Sequence, residues 1–292
     1  MCNAPSHVRF APNSDRESGL PQKVMSALPP KADMCDANRQ VCFGPIADIC
    51  RVRYNTSKHM ESRQLAVREM EPGPPFDVKR TEGRLMKLYY AVGSSSLTPH
   101  IVLIEAGLQF EGIKVDEHSK VIEGGGDYRA INPLGFVPAL CLDDNTVITE
   151  VAAIVQYIAD KAPAKKLAPP NGTVERVKLQ SWLSFLSSEM HKGGFSPLFY
   201  KGMPEEGKEI FRRRLIARFS HLDRHLGEHE YLMGKDFSVA DVHLFVISNW
   251  ASHVAFDLAP YPIVASYRKR IAQRRAVRAA MTTEGLVVPS SP

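Results

Sequence analysis

Three consecutive hydroxyls follow a glycine at Gly93-Ser94-Ser95-Ser96, between an apolar run and a helix-like run. Serine is a common helix N-cap, and a hydroxyl beside free N–H groups at a helix start can also hold an anion. Both readings stand for Ser94, Ser95 and Ser96 on residue type alone: an anion-holding turn, or three caps competing for one helix start. Tyr90, on the run before the turn, is a further hydroxyl with a core position as its alternative. Glu150 opens a second helix-like run, where the dipole favours an acid with or without a ligand. Val137-Pro138 sets a proline just ahead of a strand-like run, where an edge strand tolerates one. Cys35 and Cys42 are separated by six residues and Cys42 and Cys50 by seven, with no paired histidine, so no metal site is expected.

The elements around these residues form a short alternating series. Met86–Val92 reads as a buried strand. A helix follows over about Leu97–Ala106, with Pro99 in its first turn and Gly107 as its terminator. Phe110–Val115 reads as a second strand, and a strand–helix–strand unit of this length implies parallel pairing with a right-handed crossover. A short helix near Asp127–Ile131 ends before Pro133. Phe136–Leu142 and Val147–Thr149 flank the turn Asp143-Asp144-Asn145 and should pair as a hairpin. The order βαβ then ββα is the thioredoxin arrangement.

Beyond Lys161 the pattern changes. Residues 161–173 carry Pro163, Pro169, Pro170 and Gly172 and read as a linker. Leu179, Leu183, Leu186 and Met190 then recur at helical spacing, as do Phe211, Leu215, Phe219, Leu222 and Leu226. Phe237-Ser238-x-x-Asp241-Val242 reads as a capping box with a hydrophobic staple. Arg268, Lys269, Arg270, Arg274, Arg275 and Arg278 make a basic last helix, read as a solvated face.

Composition bounds the function. With 44% apolar and 24% charged residues the chain can bury a real core, and a net charge of +5 asks for no nucleic acid. No apolar stretch is long enough to span a membrane. Of five cysteines only Cys141 lies beyond residue 50, which is no disulfide framework and suits a reducing cytoplasm.

Two segments then carry a specific likeness. Asn132-Pro133-x-Gly135-x-Val137-Pro138-Ala139-Leu140, followed by Thr149-Glu150-x-Ala152-Ala153-Ile154, resembles the glutathione-binding half of the glutathione transferases. Met86-Lys87-Leu88-Tyr89-Tyr90, Gly93, Ser96-Leu97, Pro99-His100-Ile101 and Glu105-Ala106-Gly107 resemble the start of the bacterial beta class. The similarity runs from Met86 to Leu286. It implies a thioredoxin-like glutathione-binding domain over 86–162, a linker over 163–173, an all-helical domain over 174–286 and a tail over 287–292.

The resemblance also implies roles. The bond before Pro138 would be cis, and the Val137 main chain would pair with the cysteinyl part of glutathione as an added strand does. Glu150 would hold the α-amino group and the Val151 N–H the γ-glutamyl carboxylate; the family usually has Ser at that position, so a hydroxyl contact is lost here. Lys120 would face the glycyl carboxylate. Glu189-Met190-His191-Lys192-Gly193 also looks like beta class, with His191 facing the sulfur or the acceptor substrate and Lys192 beside it. Ser184 and Ser188 would reach glutathione across a homodimer interface.

At the sulfur the chain departs from the class, because Ser95 stands where the beta class has cysteine. Disulfide exchange through this position is excluded, and thiolate stabilisation remains. A thiol of pKa about 8.5 is only about 3% ionised at pH 7, and lowering it by about two units needs about 2.7 kcal/mol. One charge-assisted hydrogen bond is worth about 1.5–3 kcal/mol. The hydroxyl of Ser95 or Ser96, with the Ser94 N–H, would supply it, and Tyr90 is the alternative. The expected activity is conjugation of glutathione, as co-substrate and without a metal, to small hydrophobic electrophiles. The rivals are a non-catalytic glutathione- or protein-binding relative and a glutathione-dependent dehalogenase or peroxidase.

Residues 1–85 lack usable periodicity. Val8, Phe10, Pro12 and Asp15 recur as Val41, Phe43, Pro45 and Asp48, but two poor copies do not make a repeat domain. The segment reads as an unstructured extension, with Met86 as the true start of translation; a genuine disordered extension is the other reading.

Overall fold

The computed structural model describes residues 85–287. The expected extension over 1–85 lies outside the described residues except for Leu85, as does the expected tail from residue 288 onward.

Strand β1 (Met86–Tyr90) leads into helix α1 (Leu97–Ala106) and strand β2 (Phe110–Lys114), and β1 pairs parallel with β2. Strands β3 (Ala139–Cys141) and β4 (Val147–Thr149) form an antiparallel hairpin, and β3 adds to the other side of β1. The sheet order is therefore β2-β1-β3-β4. Helix α2 (Val151–Lys161) follows β4 directly. Strand β3 is shorter than the sequence suggests. Its pairing begins at Ala139, because Pro138 has no N–H to give to a ladder.

Helix α1 ends as its sequence requires. Gly107 takes a left-handed conformation with φ 70° and returns its N–H to the α1 carbonyls. Leu97, Ile101, Val102 and Leu103 are all buried, since α1 is covered by α2 on one side and by the helical half on the other.

The helical half begins at α3 (Val174–Phe185), capped by Thr173, whose hydroxyl accepts from the Arg176 N–H. At Leu186 the α-helix widens into a π-helix, Leu186–Phe195. Two glycines make that possible. A Cβ on Gly193 would lie 2.8 Å from the Ser188 carbonyl, and one on Gly194 would lie 2.6 Å from a Leu215 methyl. The wider turn can thus press against α4 (Glu205–Glu228), whose Leu215, Phe219, Leu222 and Leu226 are buried at helical spacing. Each such side chain contributes roughly 1.5–3 kcal/mol by leaving water.

Helix α5 (Val239–Asn249) is central, with Val239 through Ser248 all buried. Its capping box is present in both directions. Asp241 accepts from the Ser238 N–H at 2.8 Å, the Leu232 N–H at 2.8 Å and the Tyr267 hydroxyl at 2.8 Å. Every buried donor around this carboxylate is therefore engaged.

The basic C-terminal region is two helices rather than one, with Lys269, Arg270, Arg275 and Arg278 exposed and Arg268 and Arg274 half-buried. It divides into α6 (Pro262–Ala272) and α7 (Arg275–Thr283). Arg268 reaches Asn249 Oδ1 at 2.7 Å, Arg270 lies over Tyr231, and Arg274 pairs with both oxygens of Glu105 while covering Phe237. Their aliphatic stems and planar heads cover apolar surface, which charge patterning alone does not reveal.

Candidate functional site

Three turns meet in one cleft: the segment before α1, the loop before β3, and the start of α2. The π-helix closes it from the other half. Ser95, Val137, Pro138, Glu150, His191 and Lys192 all line this cleft of about 150 Å³. A larger cavity of about 300 Å³, bordered by Lys87, Tyr89 and Cys141, contains none of the expected site residues.

The three serines separate by role. Ser96 is fully buried, and its hydroxyl accepts from the Ala91 N–H and donates to the Ala91 carbonyl, both at 3.1 Å. It also lies 2.7 Å from the Ser94 hydroxyl. Ser96 is therefore a strut of the turn, and no ligand in the cleft can touch it, contrary to its expected role at the sulfur. Ser94 braces Ser96. Ser95 alone of the three lines the cleft, although only 6% of its surface is exposed. Its hydroxyl donates to the Val137 carbonyl at 3.5 Å, the outer limit of a hydrogen bond. Tyr90 does not line the cleft. Its ring packs against His100, and burial raises its phenol pKa further from neutrality.

The Val137–Pro138 bond is cis. Two hydrogen bonds hold the preceding residue: the Tyr128 hydroxyl at 3.0 Å and the Asn132 amide at 2.7 Å both donate to the Phe136 carbonyl. Val137 thus stands as a half-buried edge beyond the first paired residue of β3.

Glu150 is exposed at the head of α2 with φ 69°, and its side chain makes no cap. The α2 ladder starts with Ala153 and Ile154 donating to the Glu150 carbonyl, so the Val151 and Ala152 N–H groups precede it at the positive end of the helix dipole. Lys120 lies beside Gly135, two residues before Val137, and is not among the residues lining the cleft.

His191 is half-buried on the π-helix and meets the Trp250 ring edge-on at 4.9 Å. Burial, with the Lys192 charge next to it, lowers its pKa to about 4. The imidazole is neutral at pH 7 and can offer one N–H. Lys192 sits with its ammonium 4.7 Å from the Phe136 ring. Ser184 and Ser188 are exposed, do not line the cleft, and are bonded to each other's turn through the Ser188 hydroxyl and Ser184 carbonyl at 2.9 Å.

Sequence reasoning missed Ser187. It lines the cleft from the π-helix, and its hydroxyl lies 3.4 Å from His243 Nε2. His243 is fully buried, contacts Thr98 at 3.2 Å through Nδ1, and has its pKa lowered by burial to about 3. No residue-spacing signal foretells a π-helix, although the adjacent glycines Gly193 and Gly194 hint at close packing. Among the described residues no group of three or more His, Cys, Asp or Glu could hold a metal ion, and no helix is long and apolar enough to cross a membrane.

Comparison with known proteins gives consistent matches. The family profile for the glutathione S-transferase N-terminal domain matches residues 94–161, and that for the C-terminal domain matches residues 188–283. Glutathione S-transferase GstA of Escherichia coli O157:H7 is 40% identical over 201 residues, covering 69% of this chain and all of the relative. A sphingomonad glutathione S-transferase complexed with glutathione is 44% identical with a TM-score of 0.67, over 69% of this chain and all of that one. A bacterial beta class glutathione S-transferase from Sphingomonas chungbukensis is 46% identical with a TM-score of 0.67, again over 69% and all.

Proposed function

This chain belongs to the glutathione S-transferase family and resembles its bacterial beta class, and from that premise we propose how its cleft works. It is a glutathione transferase. The thiolate of glutathione attacks an electrophilic carbon of a small hydrophobic acceptor, forming a thioether and expelling or protonating the displaced group.

The observation that carries this reading is that Ser95, Val137, Glu150 and His191 line a single cleft. The cleft is small and open for a tripeptide, so the ligand lies along it as an added strand rather than inside it. Val137 gives main-chain groups to the cysteinyl unit. Glu150 takes the α-amino group, and the Val151 N–H takes the γ-glutamyl carboxylate. Lys120 and Lys192 flank the far end, where the glycyl carboxylate falls. The Ser95 hydroxyl leaves its long bond to Val137 and donates to the sulfur. His191, with a conjugate acid near pH 4, is a poor base for a thiol and acts as a neutral hydrogen-bond donor to the sulfur or the acceptor. Ser184 and Ser188, exposed outside this cleft, would serve that of a second copy in a homodimer. Cysteine usage suits work in the cytoplasm, where conjugating reactive electrophiles is a detoxifying reaction.

Retention on immobilised glutathione tests binding, and conjugation of chlorodinitrobenzene tests catalysis. Binding with conjugation is expected. Binding alone would support the non-catalytic reading that the replacement of the class cysteine by Ser95 raises, and absence of both would overturn the assignment.

A further inference from the structure

The peptide that launches the Ser94–Ser96 turn is held from the other end of the chain. The Gly93 N–H donates to Glu284 Oε2 at 2.9 Å, across 191 residues of sequence. The Gly93 carbonyl accepts from the Trp250 indole N–H at 2.9 Å, across 157 residues. Glu284 follows α7 and Trp250 follows α5, and both are almost completely buried.

Each clamp residue has a second contact that matters. Glu284 Oε1 lies 2.8 Å from His100 Nδ1 on α1, so one carboxylate ties the turn to the helix it opens. The Trp250 ring touches His191, so one indole meets both the turn that carries Ser95 and the imidazole on the opposite wall. Gly93 has φ 68°, a conformation that glycine adopts without strain but holds weakly. Unclamped, it is the freest joint in the turn.

We propose that Trp250 and Glu284 are positioning residues for the transfer reaction. By holding both main-chain polar atoms of Gly93 they set the distance from the Ser95 hydroxyl and the turn's N–H groups to His191. The proposal rests on the reading of the cleft given above. Displacement of a catalytic group by about 1 Å can cost about 100-fold in rate.

The test compares Ser95→Ala, Trp250→Phe, Glu284→Gln and Glu284→Leu by the pH profile of kcat/KM and by thiolate absorbance of bound glutathione, each on protein shown to be folded by circular dichroism. Trp250→Phe keeps a ring but loses the N–H, and should shift the profile upward by about half a pH unit to one unit, with a roughly 2–5-fold loss at pH 6.5 for a parent thiol titrating near 6.5. Glu284→Gln retains a carbonyl oxygen for Gly93 and should stay near the parent, whereas Glu284→Leu should shift like Trp250→Phe. If Glu284→Leu does not fold, Trp250→Phe decides. A shift in Ser95→Ala with none in Trp250→Phe overturns the clamp and leaves the cleft reading intact. A shift in Trp250→Phe with none in Ser95→Ala upholds the clamp, acting through the N–H groups, and removes the Ser95 hydroxyl from the mechanism. No shift in either overturns both.

Discussion

Replacing Ser95 with alanine isolates one hydrogen bond. In the free protein the Ser95 hydroxyl makes only a 3.5 Å contact to Val137, so truncation should change folding stability by no more than about 1 kcal/mol, the net worth of one weak hydrogen bond at a buried position. In the complex it removes a bond to a charged sulfur worth about 1.5–3 kcal/mol. That corresponds to a rise of about one to two units in the thiol pKa. If the parent thiol titrates near 6.5, the ionised fraction at pH 6.5 drops from about half to between about 10% and 1%. Conjugation at that pH should then fall about 5- to 50-fold, while at pH 9 the loss should be about 1.3-fold or less. The ultraviolet absorbance of bound thiolate, titrated beside the kinetic profile, reads the same quantity directly. A Ser95→Ala enzyme with the parent's titration curve would refute the assignment. Ser95→Cys, in contrast, should exchange with oxidised glutathione, releasing one reduced glutathione and leaving an adduct visible by mass spectrometry.

Three further outcomes are expected. Asp241→Ala strands several buried donors, each costing about 1–3 kcal/mol, so urea unfolding should show a loss of at least about 3 kcal/mol. Gly194→Ala drives a Cβ into Leu215 and the Glu189 carbonyl and should cost about 1–3 kcal/mol. His191 and His243 are held neutral down to about pH 4 and about pH 3, below the value of about 6.5 for an unfolded histidine. The unfolded chain therefore binds more protons in acid, so stability should be level above pH 7 and decline as pH falls from about 6.5 toward about 4, by up to about 1.4 kcal/mol per pH unit for each histidine. His243→Leu should flatten that slope by about half, and an unchanged slope would remove His243 from the account.

Much of the architecture was legible because local rules and tertiary context agree there. Met86–Tyr90 is apolar enough to be a buried strand, Gly107 has the one conformation its helix end requires, and Ser238 with Asp241 spells a cap that the structure makes in full. The cleft was legible chiefly through resemblance, since Val137-Pro138 and Glu150 have ordinary readings on their own. What escaped depended on rotation about an axis. Ser94, Ser95 and Ser96 are chemically alike, and only the path of the turn sends Ser96 inward and Ser95 to the cleft. Ser187 faces the cleft and Ser188 faces out, since consecutive helix residues point about 100° apart and the sequence does not say which of the two turns inward. Arg268 and Arg274 are half-buried against Asn249 and Glu105, which a tally of charges reads as solvent exposure.

Leu88 and Leu140 of the sheet, Leu103 of α1, Phe245 of α5 and Val277 of α7 belong to one contiguous apolar cluster. The boundary between the sheet half and the helical half is thus continuous oil rather than a seam. Such a body should melt in a single cooperative step, with calorimetric and van't Hoff enthalpies in agreement. A protease nick between residues 163 and 173 should leave the fragments associated under native conditions, and residues 86–162 produced alone should aggregate through the face that α5 and α7 normally cover.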